Sequence, residues 1–465
     1  MNFDGIKKDK SLKVDNLELD ESNVEFNFAA DLVRNTNKLI YLTGKAGSGK
    51  TTFLKYIRQV TDKKTIVLAP TGVAALNAGG QTIHSFFKIA PSVYLPDDFR
   101  LRTKANPEDE DRSTIFDNFR YKKGHKNLIT GMELLIIDEI SMVRCDLLDV
   151  VDKLLRVFRE NENEPFGGVQ VLLIGDAFQL PPIAQNDHWT LLKDYYQTPF
   201  FFSSQVLQQN RPYYIELKKI YRQHDLEFIN LLNNIRINQV SQADIDLLNS
   251  RFIPSEIKND NLNHVIIATH NRIVDETNQR KLGELQTELK SYKAEVSDDF
   301  PESMMPTDKI LNLKEGSQIM FIRNDTDKKY FNGKIARIKK LEKNKIIVEL
   351  EDGKDIEVKP FIWQNIKYSW NAQERKIDET LAGEFRQFPI KLAWSVTVHK
   401  CQGLTFENVI ADISNSFSPG QVYVALSRCT SLDGLLLKSR INRNAIMTDP
   451  HVLKFTELET FLDDL

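Results

Sequence analysis

The segment Gly44-Lys45-Ala46-Gly47-Ser48-Gly49-Lys50-Thr51 constrains the fold of this chain more than any other. It follows a short apolar run, Leu39 to Thr43, and precedes a helix-forming run, Thr52 to Val60. A glycine-rich turn between a buried strand and a helix lets successive backbone N–H groups curl around a phosphate, while the helix N-terminus faces negative charge. The spacing puts Lys50 within reach of the outer phosphates of a nucleotide and the Thr51 hydroxyl next to a Mg²⁺ ion. Gly44, Ala46, Gly47, Ser48, Gly49, Lys50, Thr51 and Thr52 therefore form an expected ATP cradle.

Further strands are expected at Thr65–Ala69, Glu133–Ile137 and Val169–Ile174, with helices at Phe26–Val33 and near Cys145–Phe158. This alternation is that of a mostly parallel α/β sheet. A second set of α/β signals begins near Glu216, with a strand at Val265–Ala268 and a helix at Ile273–Leu289. It resumes at Lys391–Trp394, Val409–Ile413, Gln421–Ser427 and Gly434–Leu437. Two segments interrupt the pattern. Phe87 to Thr130 is charged and rich in Pro and Asn, which reads as a small insertion or a long solvated loop. Residues 311–358 alternate with period two around turns at Asn332-Gly333 and Asp352-Gly353, which predicts a small antiparallel module.

With 465 residues the chain is too long for one core. No run of eighteen apolar residues is present to cross a membrane, and the lysine-rich first twenty residues, which lack an apolar core, read as a flexible arm rather than a signal peptide. Cys145, Cys401 and Cys429 lie far apart without metal-ligand spacing, which fits a reducing, cytoplasmic or nucleoid-associated setting. The net charge of −3 requires that any nucleic-acid surface be a local groove.

Two more strand ends complete a hydrolytic half-site. Leu134–Ile137 delivers Asp138 and Glu139, the first suited to Mg²⁺ and the second to polarising an attacking water. Val171–Ile174 leads into Gly175-Asp176-Ala177-Phe178-Gln179-Leu180-Pro181-Pro182, where Gln179 is an uncharged group able to sense a γ-phosphate. Phosphoryl transfer also needs positive charge at the developing oxyanions. Arg222 and Arg428 are the candidates, with surface salt bridges as the alternative role.

The ordered set GKAGSGKTT, APTGVAA, TIHSFF, LLIIDEISM, GDAFQLPP, YRQ, SVTVHKCQG and YVALSR resembles the Pif-type superfamily 1B DNA helicases, in the compact bacterial form, with RecD-like enzymes more distant. Pro165-Phe166-Gly167-Gly168-Val169-Gln170 is similar to the segment that separates the Pif type from those relatives. The resemblance implies an α/β chain with two RecA-like motor domains, 1A (residues 21–86 and 131–205) and 2A (206–289 and 389–465). It also implies a 1B wedge at 87–130 and an SH3-like β domain 2B at 290–388. Arg222 and Arg428 are then expected to reach the nucleotide from the second motor domain, with Gly403 nearby. The implied activity is ATP-driven 5′-to-3′ translocation on single-stranded DNA and unwinding of forked or tailed duplexes, G-quadruplexes and RNA–DNA hybrids, in replication, repair, recombination and telomere maintenance. With no coiled coil or obvious oligomerisation patch in the sequence, a monomer is expected. The family's adenine-reading Gln is missing from Glu25-Phe26-Asn27-Phe28, leaving Asn27 or a backbone group in that role.

For the nucleic-acid track, Pro70, Thr71 and Gly72, then His84 and Phe86, offer N–H groups, hydroxyls and a ring for backbone contact and stacking. A core position is the competing role for Phe86. The resemblance assigns Thr397, His399, Lys400 and Gln402 to DNA contact and to communication with the ATP site, and Thr269 and Asn271 are weaker phosphate candidates. An RNA or 3′-to-5′ motor, and a nucleotide-gated DNA-binding protein that does not unwind, remain open alternatives at this stage.

Overall fold

The computed structural model describes residues 22–463 apart from 106–107, 185, 255–263, 326, 328, 372 and 375; the expected N-terminal arm lies outside the described residues. A six-stranded parallel sheet organises the first half: β1 (Ile40–Gly44), β2 (Thr65–Ala69), β3 (Gln81–Thr82), β4 (Leu134–Ile137), β5 (Gln170–Ile174) and β6 (Tyr213–Leu217), in the order β3-β2-β4-β5-β1-β6. β1, β4 and β5 are buried along their whole length, as continuous apolar runs covered on both faces should be. Burying each such Leu or Ile contributes about 1.5–3 kcal/mol relative to exposure. The helices Val24–Asn35 and Lys50–Val60 cover one face through Phe26, Ala30, Val33, Phe53 and Ile57. The amphipathic helix Cys145–Phe158 buries Leu148, Val151, Leu154 and Leu155 in the larger core on the other.

β6 corrects a boundary. The first motor unit was expected to end at residue 205, but Tyr213–Leu217 pairs in parallel with β1 from Ile40↔Tyr213 to Gly44↔Leu217. The first sheet therefore closes only just before Arg222. A second parallel sheet follows, with strands Val265–Ala268, Ser395–Thr397, Val409–Asp412 and Leu435–Leu437.

Between residues 290 and 390 the strands are antiparallel. Gln318–Phe321, Ile335–Leu341, Ile346–Glu349, Asp355–Val358 and Ile390–Leu392 form one sheet around Ile319, Phe321, Ile338 and Val348. A long hairpin, Phe361–Asn371 with Lys376–Gln387, leaves this module and docks on the first motor unit. There the Tyr368 hydroxyl accepts from the Val67 N–H at 3.1 Å, Gln81 donates to the Ile366 carbonyl at 2.9 Å, and Arg58 pairs with Glu379 at 2.8 Å. The insertion after Phe87 is made of short helices, Phe99–Leu101, Ile115–Asn118 and Lys123–Gly131, pinned to the core by Leu101, Ile115, Phe119 and Tyr121.

Candidate active site and nucleic-acid interface

The carboxyl ends of β1, β4 and β5 converge on one cleft, where open parallel sheets bind their ligands. Gly47 and Gly49 hold left-handed backbone at φ 81° and 94°. Gly47 also leaves no space for a side chain, since a β-carbon there would lie 2.5 Å from Cβ of Arg222. Lys50 opens the helix behind the loop, and its ammonium folds back to donate to the Gly44 carbonyl at 2.6 Å and the Lys45 carbonyl at 3.1 Å. Burial pushes its pKa down, against the pull of Asp176 and Glu139. The Ser48 hydroxyl is buried without a hydrogen-bond partner among the described residues. An ammonium held by two carbonyls and an orphaned hydroxyl in one cradle both match what polyphosphate oxygens would satisfy.

Asp138 and Glu139 follow β4 directly, and Glu139 sits at φ 52°, a strained value for a non-glycine residue. Burial raises both carboxyl pKa values, and the neighbouring carboxylate raises that of Asp138 further. Two adjacent carboxylates in a desolvated site call for a cation. With the Thr51 hydroxyl on the same cleft, the donor set fits Mg²⁺ bound together with nucleotide phosphates.

Opposite them stand groups from the second sheet. Gln402 donates from Nε2 to Oε2 of Glu139 at 2.9 Å and to Oε1 of Gln179 at 3.4 Å. The Tyr423 hydroxyl accepts from the Ala46 N–H at 3.0 Å, tying the helix Gln421–Leu426 to the phosphate loop. Arg428 is 1% exposed, and among the described residues its guanidinium donates to neutral oxygens, the carbonyls of Val424 and Leu404 and the Ser427 hydroxyl. Arg222 donates to the Ser427 carbonyl at 3.1 Å, and burial, then the charge of Arg428, pushes its pKa down to about 9. Two guanidiniums meet here, Arg428 buried and Arg222 half-buried, and among the described residues no carboxylate is hydrogen-bonded to either, which makes a receptor for an anion. Arg222 reaches the cleft from the connector after β6 rather than from the body of the second unit, so only Arg428 arrives from across the cleft.

The base-reading region differs from expectation. Asn27 is exposed and does not line the cleft; Asn23 and Phe26 do. Asn23 accepts from the Phe26 N–H through Oδ1 and donates from Nδ2 to the Tyr221 hydroxyl at 3.1 Å.

Along the track, Thr71, Thr269, Asn271, Thr397, His399, Lys400 and Gly403 line the same cleft as the nucleotide groups, whereas Pro70 and His84 do not. Gly72 is packed so closely that a β-carbon would lie 2.4 Å from the Ser303 carbonyl oxygen. Phe86 is 1% exposed, edge-on to Phe87 at 4.9 Å and near Tyr368. It is a core residue with no face to offer a base, which corrects its assignment as a stacking group. Gln402 lines the same cleft and is bonded there to Glu139 and Gln179.

A family model described as PIF1-like helicase matches residues 19–246. The ATP-dependent DNA helicase Pif1 of Campylobacter jejuni is 31% identical over 452 residues, covering 91% of this chain and 95% of that protein. The chain belongs to the PIF1-like helicase family. Its fold is that of two RecA-like motor domains with added subdomains, as in the Bacteroides sp. Pif1 crystal structure in complex with ADP-AlF4 (39% identity, TM-score 0.85, covering 94% of this chain and 96% of that one). The Bacteroides Pif1 structure bound to ssDNA aligns less closely, at TM-score 0.63 with 39% identity over 94% of this chain and 96% of that one. This PIF1-like helicase spans 66% of the length of its Xenopus laevis relative and 60% of its human one.

Sequence reasoning passed over three residues of the PIF1-like site. Tyr423 lies within YVALSR, but its bond to Ala46 spans the two sheets. Asp176 and Arg236 form a buried ion pair at 3.0 Å, with Arg236 also stacked 4.0 Å from the Phe178 ring centroid. Burial opposes the Asp176 charge, but Arg236 and Lys50 outweigh it and hold its pKa below the ordinary range. A run such as GDAFQLPP marks Asp176 as interesting; nothing in it names a partner 60 positions away.

Proposed function

We propose that this chain is an ATP-dependent 5′-to-3′ DNA helicase that translocates on single-stranded DNA and splits forked or tailed duplex. The observation that carries the reading is the bridge from Gln402 to Glu139 and Gln179. The same segment, Thr397 to Gly403, lines the cleft beyond the nucleotide groups with Thr397, His399 and Lys400. One turn thus touches the water-activating carboxylate, the γ-phosphate sensor and the expected DNA track.

In this reading ATP settles into the Gly44–Thr52 cradle with Mg²⁺ held by Thr51 and Asp138. The ion would neutralise developing phosphate charge. Glu139 orients the attacking water, while Lys50, Arg222 and Arg428 stabilise the transferring phosphoryl group. Arg428 and Gln402 come from the second sheet, so nucleotide binding draws the two units together and product release lets them part. Alternating grip on the backbone then moves the strand, with little sequence preference and with affinity that falls as salt rises. Backbone-directed grip suits G-quadruplex DNA and RNA–DNA hybrids as further substrates. That one chain supplies every group of the ATP site supports action as a monomer, and three free, buried cysteines are in keeping with a cytoplasmic or nucleoid setting.

Steady-state ATP hydrolysis with and without oligo-dT tests the reading. Turnover that requires Mg²⁺ and rises at least tenfold with single-stranded DNA is expected. Hydrolysis indifferent to DNA would favour a nucleotide-gated binding protein, and stimulation by RNA alone would favour an RNA motor.

A further inference from the structure

Among the cations of the cleft that have no part in the scheme above, Lys391 is the one that faces a second ammonium. Lys391 lies on the strand Ile390–Leu392, opposite Met320 of Gln318–Phe321, where the antiparallel module meets the second motor sheet. Its side chain lines the cleft along with Thr397, His399 and Lys400. It is partly buried. Lys400 repels its charge more strongly than the Asp308 carboxylate attracts it, and Cys401 is the other ionisable neighbour.

An ammonium drawn out of water beside a second ammonium is unfavourable unless an anion joins them. Proteins ordinarily relieve such a position with an Asp or Glu in contact; here Asp308 is too weakly coupled to do so. Thr397 lines the cleft beside them, its hydroxyl accepting from the Lys400 N–H at 3.3 Å. Thr269, Asn271 and His399, the residues expected on the nucleic-acid track, line the same cleft, so the anion with access is a nucleic-acid phosphate.

We propose that Lys391 and Lys400 together seat one phosphodiester of the translocating strand at the junction between the second motor sheet and the antiparallel module. The inference rests on the DNA-motor reading and adds a backbone contact that this reading does not contain. It makes the module a participant in gripping the strand, at a residue of its last strand.

The seat also has a proton balance. Burial and the charge of Lys400 bring the Lys391 pKa down to about 8. In mildly alkaline solution part of the population is neutral, and a phosphate in the seat restores the charge. Strand binding therefore takes up a proton between about pH 7.5 and 9. His399 is pushed below its ordinary range and the Cys401 thiol up to about 11, both by burial, so neither titrates in that window.

The test is a fluorescence-anisotropy titration of labelled oligo-dT with the full, nucleotide-free chain, across salt and pH, for wild type, Lys391→Met and Lys391→Arg. Lys391→Met is expected to lower the slope of log affinity against log salt by about 0.7, the share of one single-strand phosphate contact, and to flatten the pH dependence above 7.5. Lys391→Arg is expected to keep the wild-type salt slope and lose the pH dependence, because a guanidinium stays charged throughout. A Lys391→Met protein with the wild-type salt slope overturns the seat while leaving the motor reading intact. A wild-type protein that does not bind oligo-dT overturns both.

Discussion

Gln402 donates to Oε2 of Glu139 at 2.9 Å across the cleft between the two motor sheets, and the same amide approaches Gln179 at 3.4 Å. The carboxylate proposed to activate water is thus held by a residue three positions from His399, which is proposed for the DNA track. Replacing Glu139 with Gln should reduce kcat by about 10²–10⁴ while leaving nucleotide affinity within a few-fold. Gln402→Ala should keep DNA-free hydrolysis but lower the DNA-stimulated kcat roughly tenfold, the pattern of a lost coupling contact. Paired kcat and KM measurements with saturating and zero oligo-dT separate these outcomes; equal loss in both conditions would assign Gln402 to chemistry alone.

Lys50 rests on two backbone carbonyls that a phosphate would replace. Lys50→Ala is expected to abolish hydrolysis and to leave DNA binding appreciable, because none of the residues expected to grip the strand belongs to the cradle. Single-turnover ATPase and anisotropy on the same preparation check this. Retained turnover would mean that Gly44–Thr51 does not hold the nucleotide.

The Asp176–Arg236 pair is buried at 1% and 5% exposure, with Glu216 3.6 Å from the guanidinium. Arg236→Ala alone strands a carboxylate and should cost about 3–5 kcal/mol. Asp176→Leu combined with Arg236→Met should cost less, since the fully buried carboxylate goes with its partner and only the part-exposed Glu216 loses an ion pair. Urea midpoints of wild type and the two variants, with helicase activity recorded alongside, compare the pair as a strut and as a coupling element.

His125 packs on Phe86 at 5.1 Å and Tyr121 at 4.9 Å with its Nε2 buried and unpartnered. Burial first, then Lys88, pushes its pKa from 6.5 to about 4. Between those values the unfolded chain binds a proton that the folded one does not. Stability is therefore complete above about pH 6.5 and falls as pH drops toward 4, by at most about 1.4 kcal/mol per pH unit. Melting temperatures from pH 7.5 to 4.5 should fall less steeply in His125→Gln than in wild type.

The motifs made the ATP half-site legible because each lies at the end of its own strand, where a few neighbouring residues decide the chemistry. Antiparallel pairing around Asn332-Gly333 and Asp352-Gly353 was legible for the same reason, and Gln318–Phe321, Ile335–Leu341, Ile346–Glu349 and Asp355–Val358 do pair in that way. What depends on distant partners was hidden. Tyr213–Leu217 joins β1 across some 170 residues, so local pattern gave no reason to count it with the first sheet. Phe86 reads equally well as a stacking group or a core ring until Phe87 and Tyr368 are seen around it. Asn27 and Asn23 differ by one helical turn, and only packing decides which of them lines the cleft.

The central claim is that ATP turnover in a cleft shared by two strand-gripping units drives directional movement. Strand displacement with ATP on matched duplexes carrying a 5′ or a 3′ single-stranded DNA tail tests turnover, substrate and direction together. The account predicts displacement from the 5′-tailed duplex, loss of it in Glu139→Gln, and little from the 3′-tailed one. Displacement from the 3′-tailed duplex alone, or from neither despite active hydrolysis, would contradict it.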